Sequence, residues 1–347
     1  MEGISLEEVQ LAARNHGMPL EALRYPVTPV GLHYLLIHYD VPDVDPAEWR
    51  LTVRGEGELT LGLEELEQRP SKELAVTMEC AGNGRARLEP RPVSQPWLYE
   101  AVGTARWGGT PLRPLLEEAG VGEGAVEVLF TGLDRGIDGG IEQSYQRALT
   151  VEEALRDEVL LAYEMNGAPL PPQHGFPLRL VVPGWYGMTS VKWLAEIEVL
   201  DEPFAGYQQA SAYRLRQAED EEGEPVSRMQ PRSLLIPPGI PDFLTRDRKA
   251  EPGEHVIEGR AWSGLAPIAS VEFSGDGGAT WAPAELDPQE ERWAWRGWRF
   301  RWQAEPGSYV LCSRARDEEG NEQPVEPAWN LGGYSNNAVQ TVNVTVG

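Results

Sequence analysis

Cysteine and histidine are scarce in this chain: two cysteines, Cys80 and Cys312, and five histidines occur among 347 residues. Two thiols so far apart exclude a disulfide framework and a cysteine-rich metal site, and no CxxC, HExxH or GxSxG motif is present. Positive charge is also short, with 30 Lys and Arg against 55 Asp and Glu and a formal charge of −25. Such a surface repels nucleic acid and anionic membrane, so neither is expected as a partner. An anionic substrate would need its cations gathered locally. No apolar run reaches the roughly 18 residues a membrane span needs. The start, MEGISLEEVQLAARN, is acidic and amphipathic rather than basic and then apolar as in a signal peptide. A cytoplasmic location is the expectation.

What is present suffices for two cores. Hydrophobic residues make up 41% of the chain and include 12 tryptophans, and the length suits two domains better than one. Ile4, Val9, Leu11 and Ala12 predict a short amphipathic helix ending near Asn15 and Gly17. Residues 32–42 read as an apolar strand carrying His33 and His38 on opposite sides, so at most one should serve a site on either face. Strands are predicted at 49–54, before Cys80, at 125–134, and in EVLLAYEMNG and PLRLVVPG, with His174 in the loop between the last two. Helices are predicted in LGLEELEQRP, PLRPLLEEAGV and TVEEALRDEV, the last opening on the Thr150–Glu153 capping-box spacing. Irregular mixing of strands and helices predicts an α+β fold rather than a doubly wound sheet.

Residues 218–225 are a charge run and PRSLLIPPGIPDF a proline-punctuated linker. Beyond about residue 245, short alternating strands separated by glycine turns predict a β-sandwich, with Cys312 as core. The expected division is therefore a first domain over 1–217, a linker over 218–245 and a sandwich over 246–347. Trp293, Trp295, Trp298 and Trp302 alternate with Arg296, Arg299 and Arg301; strand alternation burying one aromatic face accounts for them without a nucleic-acid ligand.

The stretch TMECAGNGRAR, residues 77–87, sets Cys80 at a strand end with Arg85 five residues on and two glycines between. A thiolate is a nucleophile and a metal ligand, and a nearby cation favours it. Taken alone the motif is weak, and a small buried hydrophobe is the commoner reading of an isolated cysteine.

At MECAGNGR the chain resembles the sulfite oxidase family of molybdenum enzymes, which includes the molybdenum part of eukaryotic nitrate reductases. The likeness recurs in order at GTARWGG, FTGLD, LLAYEMNGAPLPPQHGFPLRLVVPG, SVKWL, EGRAWSG, FSGDGGATW, WAWRGW and AWNLGG, from about residue 25 to the end. The resemblance implies a mixed α+β molybdopterin-binding catalytic domain followed by an immunoglobulin-like dimerisation domain. It implies molybdenum-molybdopterin as cofactor, with Cys80 as the metal's protein ligand and His38, Asp134, His174, Arg179, Ser190 and Lys192 as cofactor contacts. It further implies Tyr213 as an active-site hydroxyl, Arg85 as a cation for a small oxyanion substrate, and Trp97 as an aromatic wall. A phosphate suits Arg, Lys and His donors, and a pterin edge suits a carboxylate acceptor.

The pattern departs from the family at two positions. Sulfite oxidases surround their substrate with three arginines, but Leu36 and Gly332 stand at two of the expected places. A literal Arg14-Asn15-His16 lies upstream and offers an alternative cation, though His38 keeps the family's spacing to its Val-Pro pair; Arg135 and Arg87 are further candidates to compensate. No haem domain is expected, so electrons would leave through an external acceptor: a cytochrome, another carrier or dioxygen. The expected activity is oxidation of sulfite to sulfate, passing electrons outward, in a homodimer. Nitrate or S-oxide reduction on the same cofactor is the alternative, and a non-enzymatic acidic binding protein the second.

Overall fold

The computed structural model describes residues 3–347. In the first domain, two five-stranded sheets share one core. One runs in the order Glu58–Leu61, Leu51–Arg54, Leu194–Leu200, Glu127–Asp138, Ile141–Thr150, with its single parallel pairing between Leu51–Arg54 and Leu194–Leu200. The other places Lys72–Glu79 antiparallel to Val102–Pro111, which pairs with Leu160–Met165. Leu160–Met165 also pairs with Ala168–Pro169 and Arg179–Val181. Leu51, Val53, Phe130, Leu161 and Ile197 from the sheets meet Leu115 of the helix Arg113–Ala119 in this core. Alternating apolar residues on strands create such a shared face. Strands dominate and the helices are few and short, which is an α+β domain with its helices at the periphery.

The second domain is a β-sandwich. A four-stranded sheet containing Gly253–Trp262 and Arg296–Ala304 faces a six-stranded sheet containing Ile268–Ser274, Gly307–Asp317 and Val342–Val346. Ile257, Phe273, Trp298, Trp302, Leu311 and Val344 fill the space between them, and Cys312 is fully buried. On the strand Arg296–Ala304, Trp298 and Trp302 face the core while Arg299 and Arg301 project outward to Glu285 and Glu254. Trp293 and Trp295 precede the strand and pack in other clusters, so the single aromatic face expected for all four tryptophans holds only for Trp298 and Trp302.

The domains are joined by a buried polar knot and an apolar cluster. Glu79, adjacent to Cys80, pairs with Arg232 and accepts from Trp262 Nε1 at 2.8 Å; all three side chains are buried. Tyr186, Tyr213, Met229, Leu234, Trp262 and Trp295 pack beside them.

Four sequence expectations are corrected. Residues 32–42 form no strand. Leu35 makes one isolated bridge to His16, and the following carbonyls accept from side chains instead, Leu36 from Lys192 and Ile37 and His38 from Arg14. The segment after Gly139 and Gly140 is a ten-residue strand, Ile141–Thr150, pairing back on Glu127–Asp138, while the helix after it covers only Val151–Ala154. Within the expected linker, Arg232–Leu235 is a fully buried strand paired with Gly253–Trp262. The helix Leu6–Arg14 exists, but its buried residue is Glu8, whereas Leu6 and Val9 are exposed.

Candidate functional site

The cysteine loop is built by its backbone. Cys80 N–H donates to Ala101 O at 2.9 Å, continuing the sheet one residue past the strand. The chain then turns, with Asn83 N–H donating to Cys80 O at 2.9 Å and Arg85 N–H to Gly82 O at 3.0 Å. Gly84 sits at φ +93°, and at Gly82 a Cβ would lie 2.5 Å from the Arg85 guanidinium. Glycine at position 82 thus lets Arg85 fold back across the loop. Arg85 donates to Gly332 O at 2.9 Å and Gln95 O at 3.2 Å and lies 5.0 Å from the Tyr334 ring centre. Burial raises the Cys80 thiol's pKa, opposed chiefly by the Arg85 charge.

Behind Cys80 lies an inner recess lined by His33, Asp134, His174, Arg179, Ser190 and Lys192, with Tyr145 and Met188 at its back. Arg179 donates to His174 O at 3.0 Å and Ser190 O at 3.2 Å, and its guanidinium lies 4.7 Å from the Trp107 ring centre. Lys192 Nζ donates to Leu36 O at 2.9 Å and Gln173 O at 3.0 Å. Burial pulls Arg179 down to about 10 and lowers Lys192 as well, the latter also repelled by Arg179 and partly restored by Asp134. Burial raises the Asp134 carboxyl, and its buried Oδ1 makes no hydrogen bond. Ser190 Oγ accepts from Val182 N at 3.2 Å.

In front of Cys80 the recess opens into a cleft of about 470 Å³ lined by Arg14, Arg85, Trp97, Tyr334 and Gly332; Leu36, His38, Cys80 and Tyr213 border both spaces. Tyr213 hydroxyl and His38 Nε2 share a hydrogen bond of 2.7 Å, and His38 stacks on Tyr145 at 4.5 Å. Burial drives Tyr213 well above its ordinary value and pulls His38 down to about 3, so both are neutral near pH 7.

All ten residues singled out from the sequence therefore border two connected spaces around one thiol. Arg14 reaches the cleft. Arg135 instead pairs with Glu142 on the exposed hairpin, and Arg87 donates to Thr341 across a different surface, so neither compensates for Leu36. His33 and His38 both line the recess, contrary to the two-sided strand expected of them. His33 stands edge-on to His174 at 5.6 Å. Tyr145 and buried Arg147, whose guanidinium lies 5.4 Å from the Tyr213 ring centre, were not singled out. Their signal was available only as a polar run, IEQSYQRALT, between a glycine turn and a helix cap.

A molybdopterin oxidoreductase is what this fold and site define. Residues 38–208 match the oxidoreductase molybdopterin binding domain and residues 225–347 the Mo-co oxidoreductase dimerisation domain. The chain is similar to sulfite oxidase of Gallus gallus, 38% identical over 335 residues, covering 90% of this chain and 72% of that protein. It is 36% identical to mitochondrial sulfite oxidase of Rattus norvegicus over 92% of this chain, and spans 62% of that relative's length. The sulfane dehydrogenase SoxCD of Paracoccus pantotrophus superposes with a TM-score of 0.81 at 28% identity, covering 94% of this chain and 82% of that one. The chain belongs to the sulfite oxidase family of molybdopterin oxidoreductases.

Proposed function

We propose that this protein is a molybdenum-dependent oxidoreductase that oxidises sulfite: sulfite and water give sulfate, two protons and two electrons, and an external acceptor takes the electrons. One observation carries the reading. Arg85 and Arg179 are buried and Lys192 half-buried in a strongly acidic protein, and all three line the two spaces around Cys80, yet among the described residues none of them forms an ion pair. Their polar contacts are carbonyl oxygens and, for Arg179, the Met78 sulfur. Burying a cation without a counter-charge is costly, so this arrangement fits an anion supplied from outside the chain.

The recess donor set suits a molybdopterin. Arg179, Lys192 and His174 would hold its phosphate, and the unpaired Asp134 Oδ1 would accept from the pterin edge, with Ser190 and His38 completing the cradle. Cys80 would supply sulfur to the metal. When bound, the group provides two-electron redox chemistry and a transferable oxygen. The chain's own contribution is charge and orientation. Arg85 would hold the oxyanion, the Tyr213 hydroxyl fixed by His38 would orient it, and Trp97 would close one wall against water. With burial driving the Tyr213 pKa up and the His38 pKa down, the pair stays neutral near pH 7 and would act by orientation.

Leu36 and Gly332 in the cleft favour a second reading, reduction of nitrate or a neutral S-oxide on the same cofactor. Steady-state assays with sulfite, nitrate and methionine sulfoxide separate the two. Sulfite turnover with a soluble acceptor is expected, and no turnover of sulfite with a cytochrome, a dye or dioxygen removes the first reading. We further infer that the sandwich is an immunoglobulin-like module pairing two copies of the chain, which light scattering would report as twice the chain mass.

A further inference from the structure

Residues ahead of position 38 lie outside the region matched by the molybdopterin domain, yet they form one wall of the outer cleft. The helix Leu6–Arg14 opens on a capping box between Ser5 and Glu8. Glu8 is fully buried and paired with Arg91, which fastens the helix to the loop after the cysteine. At the other end Asn15 bridges two walls, donating to Gln95 Oε1 at 3.0 Å and accepting from Ile37 N at 2.7 Å. His16 and Leu35 exchange backbone hydrogen bonds of 3.2 and 2.9 Å. The helix terminus is therefore held from both sides, and Arg14 is aimed by that frame.

Arg14 projects over the segment carrying His38. Its guanidinium makes only long contacts, 3.4 Å to Ile37 O and 3.5 Å to His38 O, and among the described residues it pairs with no carboxylate. Its charge is felt at His38, which borders both the cleft and the recess. Arg85 lines the same cleft, with two of its donor nitrogens already engaged by Gly332 O and Gln95 O. A sulfite or sulfate dianion needs more positive charge than Arg85 supplies. The other cations of the cleft are placed differently. Arg214 is committed to Glu222 and the Gly223 carbonyl, and the charge of Arg216 is felt at Tyr207.

We propose that Arg14 is a specificity-determining residue of the substrate cleft: from a helix outside the molybdopterin domain it forms, with Arg85, the clamp for a tetrahedral or pyramidal oxyanion. This deepens the sulfite reading and rests on it for the identity of the substrate, though the anion clamp itself can be tested without turnover. A charge-assisted hydrogen bond to an anion is worth about tenfold or more in affinity.

The test uses the full chain carrying its cofactor, with R14Q, R14K and R216Q, and inorganic sulfate as probe. Isothermal titration gives the sulfate Kd, and steady-state kinetics give KM and kcat for sulfite. R14Q is expected to weaken sulfate and raise KM by about tenfold or more while kcat changes less than about threefold. R14K should recover most of the loss, and R216Q should stay within about twofold of the parent protein. Arg14 is exposed, so thermal midpoints should coincide. An R14Q protein with unchanged sulfate Kd and KM overturns the proposal, and so does an R216Q protein that loses as much as R14Q. If the parent protein fails to oxidise sulfite but R14Q still weakens sulfate, the sulfite reading falls and the clamp stands.

Discussion

The Tyr213 hydroxyl and His38 Nε2 meet at 2.7 Å across 175 positions of sequence, and both border the two spaces that Cys80 borders. The pair sits where the recess and the cleft join, with Tyr145 stacked beneath His38 and Arg147 beneath Tyr213. Tyr213→Phe removes the hydroxyl and leaves His38 unpaired. Turnover of sulfite should fall about ten- to a hundredfold, and stability by roughly 1–2 kcal/mol. Stopped-flow reduction and chemical denaturation measure the two losses separately. A Phe variant with parental turnover would remove Tyr213 from the reaction.

Glu79 ties the cysteine loop to the second domain through Arg232, Trp262 Nε1 and Asn83 Nδ2. Glu79→Gln strands a buried arginine, a change that typically costs about 3–5 kcal/mol and should lower the thermal midpoint by roughly 5–10 °C. Adding Arg232→Met removes the stranded charge and should recover part of that loss. A Glu79→Gln midpoint equal to the parent's would show that the ion pair does not hold the domains.

Three histidines, His33 and His174 buried and His38 half-buried, set the response to acid. Burial lowers His33 to about 4, His38 to about 3 and His174 to about 2, each below the ordinary value near 6.5. The unfolded chain binds these protons first, so stability is complete above about pH 6.5 and is lost progressively as pH falls toward 3. Asp134 works in the opposite sense, because burial raises its pKa and the folded state holds that proton longer. One proton against three leaves a net loss of stability between about pH 6.5 and 4. Urea midpoints across that range should decline with falling pH, and a flat profile would contradict the burial of these rings as neutral groups.

Lys192 spends its donors on the carbonyls of Leu36 and Gln173, near the Asp134 carboxyl but without a direct pairing to it. Lys192→Met removes a half-buried charge, so the protein stripped of cofactor should be no less stable than the parent to within about 1 kcal/mol. Its pterin content after purification should nevertheless drop about tenfold, because a charge-assisted contact to phosphate is gone. Fluorescence of the released, oxidised pterin measures the loss, and full retention would exclude Lys192 from the phosphate cradle.

The parts of this architecture legible in the sequence were those with short-range signals. Val76, Met78 and the glycines that follow mark the end of a strand and a turn, and the alternation of Trp298 and Trp302 with Arg299 and Arg301 marks a half-buried strand. Ordered motif likeness gathered the ten site residues although they come from distant segments. What escaped was polar structure stabilised by tertiary partners. Residues 32–42 look like a strand because they are apolar, but Arg14, Asn15 and Lys192 take up their backbone groups and leave a loop. Ile141–Thr150 drew no strand expectation because its pattern is polar and its buried members include Arg147, which donates to the Gln208 carbonyl and lies beneath the Tyr213 ring. Arg232–Leu235 reads as linker between prolines, yet its arginine finds Glu79 across 153 positions. Local pattern carries no information about such partners.

The central claim is that the Cys80 sulfur is bonded to molybdenum. X-ray absorption at the molybdenum edge counts sulfur neighbours directly, and comparison of the parent protein with Cys80→Ser isolates one of them. The account predicts one fewer sulfur at the metal in Cys80→Ser, with pterin content retained through Arg179, Lys192 and His174. An unchanged sulfur count would contradict it, since the thiol would then be only a buried side chain beside someone else's metal site.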